Sequence, residues 1–162
     1  MGGETLAAGP YRLDVHWTPG HAPGHLCLHD PTLKLLLSGE HVLPHTTPTI
    51  GLHPFTDSDP LGDFIRSLRR TATLETDRTF PAHGESFGGV EPRMDQILAH
   101  HTNRSDDIRD VVSGPAKTGW NVARTIGWSV GDFKAFNVEN TTLAVLETLA
   151  HLKMAPSLNQ HH

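Results

Sequence analysis

The sequence predicts an α+β fold, with a strand-rich first half followed by a helical tail. Two observations predict it. Short apolar segments closed by glycine-bearing turns fill the chain to about residue 84, and helix-period segments take over after Gly88-Gly89. The thirteen histidines follow the same division, because most lie before residue 102, among the strands and turns.

Tyr11-Arg12-Leu13-Asp14-Val15-His16-Trp17 alternates apolar and polar residues, the period of a half-buried strand. His25 to Leu28 reads as a short strand closed by the turn His29-Asp30-Pro31-Thr32. Leu33 to Leu37 is a nearly unbroken apolar run, which predicts a central strand buried on both faces. Pro44 to Pro60 holds four prolines and no periodicity, so it is read as a loop. A helix then opens with Asp59 as its N-cap and Pro60 at its first position. Leu61, Phe64, Ile65 and Leu68 form its apolar stripe, and Arg66, Arg69 and Arg70 a solvated face. Arg78 to Phe80 is a last short strand, leading into Pro81-Ala82-His83-Gly84.

In the tail, Glu91 to Val112 reads as a long helix with Met94, Ile97, Leu98 and His101 on one side, broken by Ser113-Gly114-Pro115. Thr118 to Ile126 reads as a second helix. Asn137 to Lys153 reads as a third, with Thr142, Val145, Leu146, Leu149 and Leu152 as its apolar face. Three short helices after a Gly-Gly joint suggest a helix-turn-helix or winged-helix-like appendage. The expected boundaries are 1–88 for the strand-rich domain and 89–162 for the helical one.

A length of 162 residues suits one domain, or a small domain with an appendage. The net charge of −5 argues against bulk nucleic-acid binding. Cys27 is the sole cysteine, which excludes an internal disulfide and makes the cytoplasm the expected compartment. Its apolar strand predicts an inert buried thiol. No apolar run is long enough to span a membrane. Met1-Gly2-Gly3-Glu4 has neither the basic region nor the apolar core of a signal peptide.

Chemistry concentrates in three turns. Thr18-Pro19-Gly20-His21-Ala22-Pro23-Gly24-His25, Ser38-Gly39-Glu40-His41 and Pro81-Ala82-His83-Gly84 each follow a strand-like run and pair glycine with an imidazole or a carboxylate. Zinc is held by neutral imidazole nitrogens and carboxylate oxygens. Glycine lets the backbone bend beside a ligand, and proline stiffens the approach. His21, Glu40 and His83 are therefore the candidate metal ligands. A carboxylate between two imidazoles is suited to bridging two ions that lower the pKa of a shared water. His25 repeats the Gly-His pattern and is expected to support the turn by hydrogen bonding from outside the ligand set. His41, His45 and His53 are assigned to the solvated loop. His16 and His29 read as ordinary polar residues beside a sheet, and His100 and His101 as mid-helix packing or solvent contacts. His161 and His162 are a tail or tag remnant.

On these motifs the chain resembles the metallo-β-lactamase-fold hydrolases. The matching segments, in family order, are Thr18 to His25, Leu37-Ser38-Gly39-Glu40-His41-Val42-Leu43-Pro44 and Phe80-Pro81-Ala82-His83-Gly84-Glu85. The helical tail, with Ile97 to Arg104 and Leu149 to Lys153, resembles the winged-helix extension of the subgroup typified by β-lactamase-like protein 2. The resemblance covers Tyr11 to Met154. It implies the C-terminal half of a four-layer αββα sandwich followed by that tail. It also implies a parent hydrolase that uses metal-bound hydroxide on an ester, thioester, lactam or phosphodiester. By this resemblance His21 matches a ligand of the first zinc, Glu40 the residue bridging both, and His83 a ligand of the second.

Two departures matter. The bridging residue in the family is usually aspartate, and Glu40 is one methylene longer. The His-x-His-x-Asp-His ligands of the family's N-terminal half are not found, and no His-x-His pair occurs in these 162 residues. Two protein ligands per ion fall short of three, so weak or no zinc binding is expected of this chain, which reads as a fragment. Half of a sheet sandwich also leaves one sheet face without a partner. Leu13, Val15, Leu26, Leu35 and Leu37 include residues expected to lie bare, which predicts a homodimer through the sheet or aggregation. The competing readings are a non-catalytic interaction module and a half-enzyme completed by a partner chain. The tail carries seven Lys/Arg against eight Asp/Glu, and only Lys153 lies near the end of its third helix, so duplex DNA is not an expected partner. The resemblance admits single-stranded RNA beside small ester-type substrates in the complete enzyme.

Overall fold

The computed structural model describes residues 2–54, 59–115 and 118–154. Met1, residues 55–58 of the expected loop and the His161-His162 tail lie outside the described residues. Five strands form one sheet: β1 (Thr5–Ala8), β2 (Tyr11–Trp17), β3 (Leu26–Asp30), β4 (Leu35–Gly39) and β5 (Arg78–Pro81), in that spatial order. The first four pair antiparallel. Helix α1 (Pro60–Thr71) lies between β4 and β5 in sequence and carries the chain back to the edge where β4 began, so β5 pairs parallel with β4.

The register fixes which side chains share a face. Leu6 faces Leu13, Val15 faces Leu28, Leu28 faces Leu37, and Leu37 faces Phe80. With period-two alternation this places Leu13, Val15, Trp17, Leu26, Leu28, Leu35, Leu37 and Phe80 on one face. His16, Cys27, His29, Leu36, Ser38 and Thr79 lie on the other. The helices cover only the second face: Leu36, Cys27 and Thr79 are fully buried, whereas Leu26, Leu37 and Phe80 remain 46, 40 and 43 % exposed. The double burial expected for Leu33 to Leu37 does not occur. The strand is central in the sheet but covered on one side only, because no second layer among the described residues meets Leu35 and Leu37. Val15 and Asp30 are the exceptions on the open face, and both are buried.

Three further local expectations change. Strand β3 continues through His29 and Asp30, which the sequence assigned to a turn. His29 is buried with Nε2 3.0 Å from the Glu75 carbonyl, and Asp30 Oδ1 accepts the Thr32 and Leu33 amides, so the turn begins two residues later, at Pro31. Strand β1 has no counterpart in the sequence reading. Thr5-Leu6-Ala7-Ala8 is exposed at every residue and weak in strand formers, and it is held by its hairpin to β2 across Gly9, at φ 59°. His41 is not on a solvated loop but fully buried, edge-on to Phe64 with ring centroids 5.1 Å apart.

Helix α1 starts as its sequence requires. Asp59 Oδ1 accepts the Gly62 amide at 2.9 Å, and Pro60 occupies the first turn. Leu61, Phe64 and Leu68 are completely buried, and Arg66, Arg69 and Arg70 are exposed. The tail consists of α2 (Glu91–Ser113), α3 (Gly119–Ala123), a 3₁₀ turn at Phe133–Ala135 and α4 (Val138–Met154). Among the described residues no strand follows β5. The core crosses residue 88, joining Cys27 and Leu36 to Phe64, Met94, Ile97, Ala150 and Met154.

The buried face of α4 differs from the leucine stripe expected. Thr142 is exposed, and Ala144, Thr148, Ala150, His151 and Met154 lie deepest. The helix packs against α1 and α2 as well as α3. Small residues permit this close approach, and Leu149 is displaced to the Gly119 side, where an added Cβ would stand 2.7 Å from it. Thr148 satisfies its hydroxyl on the Ala144 carbonyl.

His101 on α2 and His151 on α4 meet in this seam, with Nδ1 and Nε2 3.4 Å apart and Ser105 Oγ 2.9 Å from His151 Nδ1. Burial pushes both imidazoles down to about 3, helped for His101 by its neighbour His151 and for His151 by Arg104. Both folded values lie below the ordinary value of 6.5. The unfolded chain therefore gains protons first as pH falls below 6.5, and stability declines from there towards pH 3. His41 is equally buried and pushed down to about 3 by the same cause, so urea denaturation is expected to show stability lower by on the order of 4 kcal/mol at pH 5.5 than at pH 7.5, shared among His41, His101 and His151.

Candidate metal centre

Strand direction assembles the candidate residues. β2, β4 and β5 run the same way, with β3 antiparallel between β2 and β4. The segments after β2, after β4 and after β5, and the segment before β3, therefore all emerge at one edge of the sheet. These four segments carry His21, Glu40, His83 and His25 respectively.

His25 braces two of them. The Glu40 amide donates to His25 Nε2 at 3.1 Å, so that nitrogen carries no proton. The proton sits on Nδ1, which faces Thr18 Oγ1 at 2.7 Å. The Thr18 hydroxyl points on to Cys27 Sγ at 3.5 Å, and the thiol donates to the Ser38 carbonyl at 3.4 Å. Burial lowers the His25 pKa, with a further push from His21, and so favours this neutral imidazole. Gly39, at φ 54°, makes the arrangement feasible, because an added Cβ would lie 2.7 Å from His25 Nε2.

His21 presents Nδ1 to the Thr49 carbonyl at 3.0 Å, which orients the ring and leaves Nε2 as the nitrogen for a ligand. Glu40 Oε1 lies 2.6 Å from His83 Nε2. The His83 side chain is 76 % exposed, and an ion pair so open to water contributes little to stability. Gly84, at φ 85°, turns the chain directly behind His83 and sits against Pro44. Arg93, which sequence reasoning left unassigned, fastens the 40–47 segment to α2. Its Nε donates to the Leu43 carbonyl at 2.8 Å and its Nη2 to the Thr46 carbonyl at 2.9 Å. An arginine in the first turn of a helix reads as solvated, and no sequence signal marks this clamp.

Cys27 is inert. Burial pushes its thiol up to about 12, and it is completely enclosed. His100 is half-buried on α2, His45 and His53 are exposed, and none of the three belongs to this edge cluster.

Among the described residues, no group of three or more His, Cys, Asp or Glu side chains is arranged to hold a metal ion. Glu40 and His83 contact each other directly, and a two-donor pair does not meet the three-ligand minimum of a catalytic zinc. The residues present do not by themselves fit the ion.

A family profile described as the Metallo-beta-lactamase superfamily matches residues 2–83, half of the chain. The chain belongs to the metallo-beta-lactamase superfamily. A metallo-beta-lactamase family protein from Thermus thermophilus, TTHA1429, superposes with a TM-score of 0.83 at 33 % identity, over 98 % of this chain and 48 % of its own. A beta-lactamase domain protein from Burkholderia ambifaria superposes with a TM-score of 0.86 at 26 % identity, over 99 % and 47 %. The probable metallo-hydrolase YqjP of Bacillus subtilis (strain 168) is 29 % identical over 138 residues, 83 % of this chain and 41 % of YqjP. The chain thus spans less than half the length of these metallo-beta-lactamase relatives, and its likeness to the two structures includes the helical tail.

Gly20, at φ 141°, is the tightest joint of this edge. A Cβ there would collide with the backbone and Cβ of Phe64, so the His21 turn lies directly on α1. Gly20→Ala is expected to destabilise the fold by roughly 3 kcal/mol or more, through strain and displacement of α1. Gly24→Ala, where nothing lies within 4 Å, is expected to change stability by under about 1 kcal/mol. Chemical denaturation of both variants checks the contrast.

Proposed function

We propose that these residues form the helix-capped half of a zinc-dependent hydrolase acting on an ester, thioester, lactam or phosphodiester. His21, Glu40 and His83 are three of its metal donors, with Glu40 between the two imidazoles. The remaining donors come from outside these 162 residues, in the same polypeptide or in a partner chain. The observation that carries this reading is the common edge of β2, β4 and β5, with Glu40 Oε1 2.6 Å from His83 Nε2 and its backbone braced by His25. Superfamily membership supports hydrolysis as the reaction class. The chain's own residues orient rather than react: Thr49 aims the His21 ring, His25 fixes the Glu40 turn, and Arg93 anchors the segment beyond it.

Calorimetric titration tests the donor assignment. The isolated chain is expected to bind zinc more weakly than about 1 μM, because each ion finds too few ligands. A polypeptide that adds a His-x-His-x-Asp-His segment is expected to bind stoichiometrically and far more tightly. Glu40→Ala or His83→Ala should remove most of that gain. Tight stoichiometric binding by the chain alone, or a gain indifferent to both substitutions, overturns the assignment.

A second reading, association through the sheet, is favoured by the exposed Leu26, Leu37 and Phe80. In it the open face meets a second copy or a completing partner. Sedimentation velocity of the isolated chain is expected to show a dimer or larger species, and Leu37→Lys should shift it towards monomer. Within the proposal the tail, which among the described residues is built of helices without a wing strand, is the extension of the β-lactamase-like protein 2 type. A cytoplasmic location is supported by the lone, buried Cys27. No helix among the described residues is long and apolar enough to cross a membrane.

A further inference from the structure

A cavity of about 540 Å³ lies between the 45–49 segment, α2, α4 and the turns joining α3 to α4. Its volume falls in the range of small-molecule sites. Thr49, on its wall, is the residue whose carbonyl meets His21 Nδ1 at 3.0 Å, so the cavity adjoins the candidate centre.

The chemistry of its lining is specific. Arg104 and Glu147, both nearly buried, stand 3.8 Å apart and balance each other's charge. The Arg104 guanidinium lies over the Trp128 ring, 4.4 Å from its centroid, and Nη1 donates to the Gly127 carbonyl at 2.5 Å. Its Nε is enclosed against Glu147 Oε1, and the hydroxyl-bearing Thr46, Thr47 and Ser129 on the wall are the donors that an acceptor oxygen meets. Arg104 opposes the upward push that burial gives the Glu147 pKa. With Glu147 beside it, Arg104 presents no unopposed positive charge to a carboxylate or a phosphate. Trp128 and Phe136, edge-to-face at 6.4 Å, supply ring surface, and Leu143 leaves apolar surface in the opening.

We propose that this cavity is the substrate-body site of the same centre, and that it takes an uncharged ring-bearing group with an acceptor oxygen, the reacting bond directed past Thr49. The inference rests on the hydrolase reading for its role, but the binding it requires is independent of metal.

The test uses the 162-residue chain in EDTA, titrated calorimetrically with 2-naphthamide, an uncharged ring with a carbonyl acceptor, and with its anionic analogue 2-naphthoate. Saturable one-to-one binding of the amide is expected with Kd on the order of 0.1–1 mM, and 2-naphthoate at least about tenfold weaker. Leu143→Trp, on the partly exposed rim, should fill the opening and weaken the amide by about tenfold, with an unchanged urea midpoint confirming the fold. No saturable binding of the amide, equal or tighter binding of the anion, or indifference to Leu143→Trp overturns the proposal. Failure of the hydrolase reading shows instead in the zinc titration, which involves none of these groups.

Discussion

The direction of three strands governs everything at the candidate centre. A single antiparallel strand between β2 and β4, and the α1 crossover between β4 and β5, make all three end at one edge. Had the connection from β4 to β5 been a hairpin, His83 would have come out at the far edge, away from Glu40. The crossover needs a helix long enough to return, and that helix needs a seat. Gly20 provides it by letting α1 lie against the His21 turn. The element that sets strand polarity is thus the one that presses on the candidate site.

Beneath this edge the molecule is held by a core layered on one side of the sheet. Phe64 sits at its middle, with His41 and His101 both edge-on to its ring. Imidazoles fill places where leucine is expected, and burial keeps them neutral. These rings continue to His151 and Ser105, so the sheet, α1, α2 and α4 are linked through one line of contacts. Loop, site and tail therefore share a core and do not pack as separate bodies.

Much of this was legible from sequence, for identifiable reasons. Helix α1 carries a cap, a proline and a clean apolar stripe, and each is used as read. The turns bearing His21, Glu40 and His83 announce themselves through glycine and proline, and the alternation in β2 marks a strand, although its apolar set lies on the open face of the sheet. What failed did so where tertiary contact outweighs local pattern. A run of leucines at 35–37 reads as doubly buried, yet only Leu36 meets helices. His41 follows a glycine turn and a carboxylate, which reads as surface, but Phe64 takes it inside. In α4 the leucines are the obvious stripe, while close packing on several sides selects Ala144, Thr148 and Ala150. β1 lacks any intrinsic signal and exists through pairing with β2. The role of Arg93 depends on two carbonyls about fifty residues earlier, a relation that periodicity does not encode.

The enclosure of Cys27 has a practical corollary. A sulfhydryl kept in its un-ionised form between sheet and helices is shielded from maleimides and other electrophiles while the layers stay together. As the sole such group in the chain, it is a native label whose modification kinetics record the parting of those layers, with no engineered probe required.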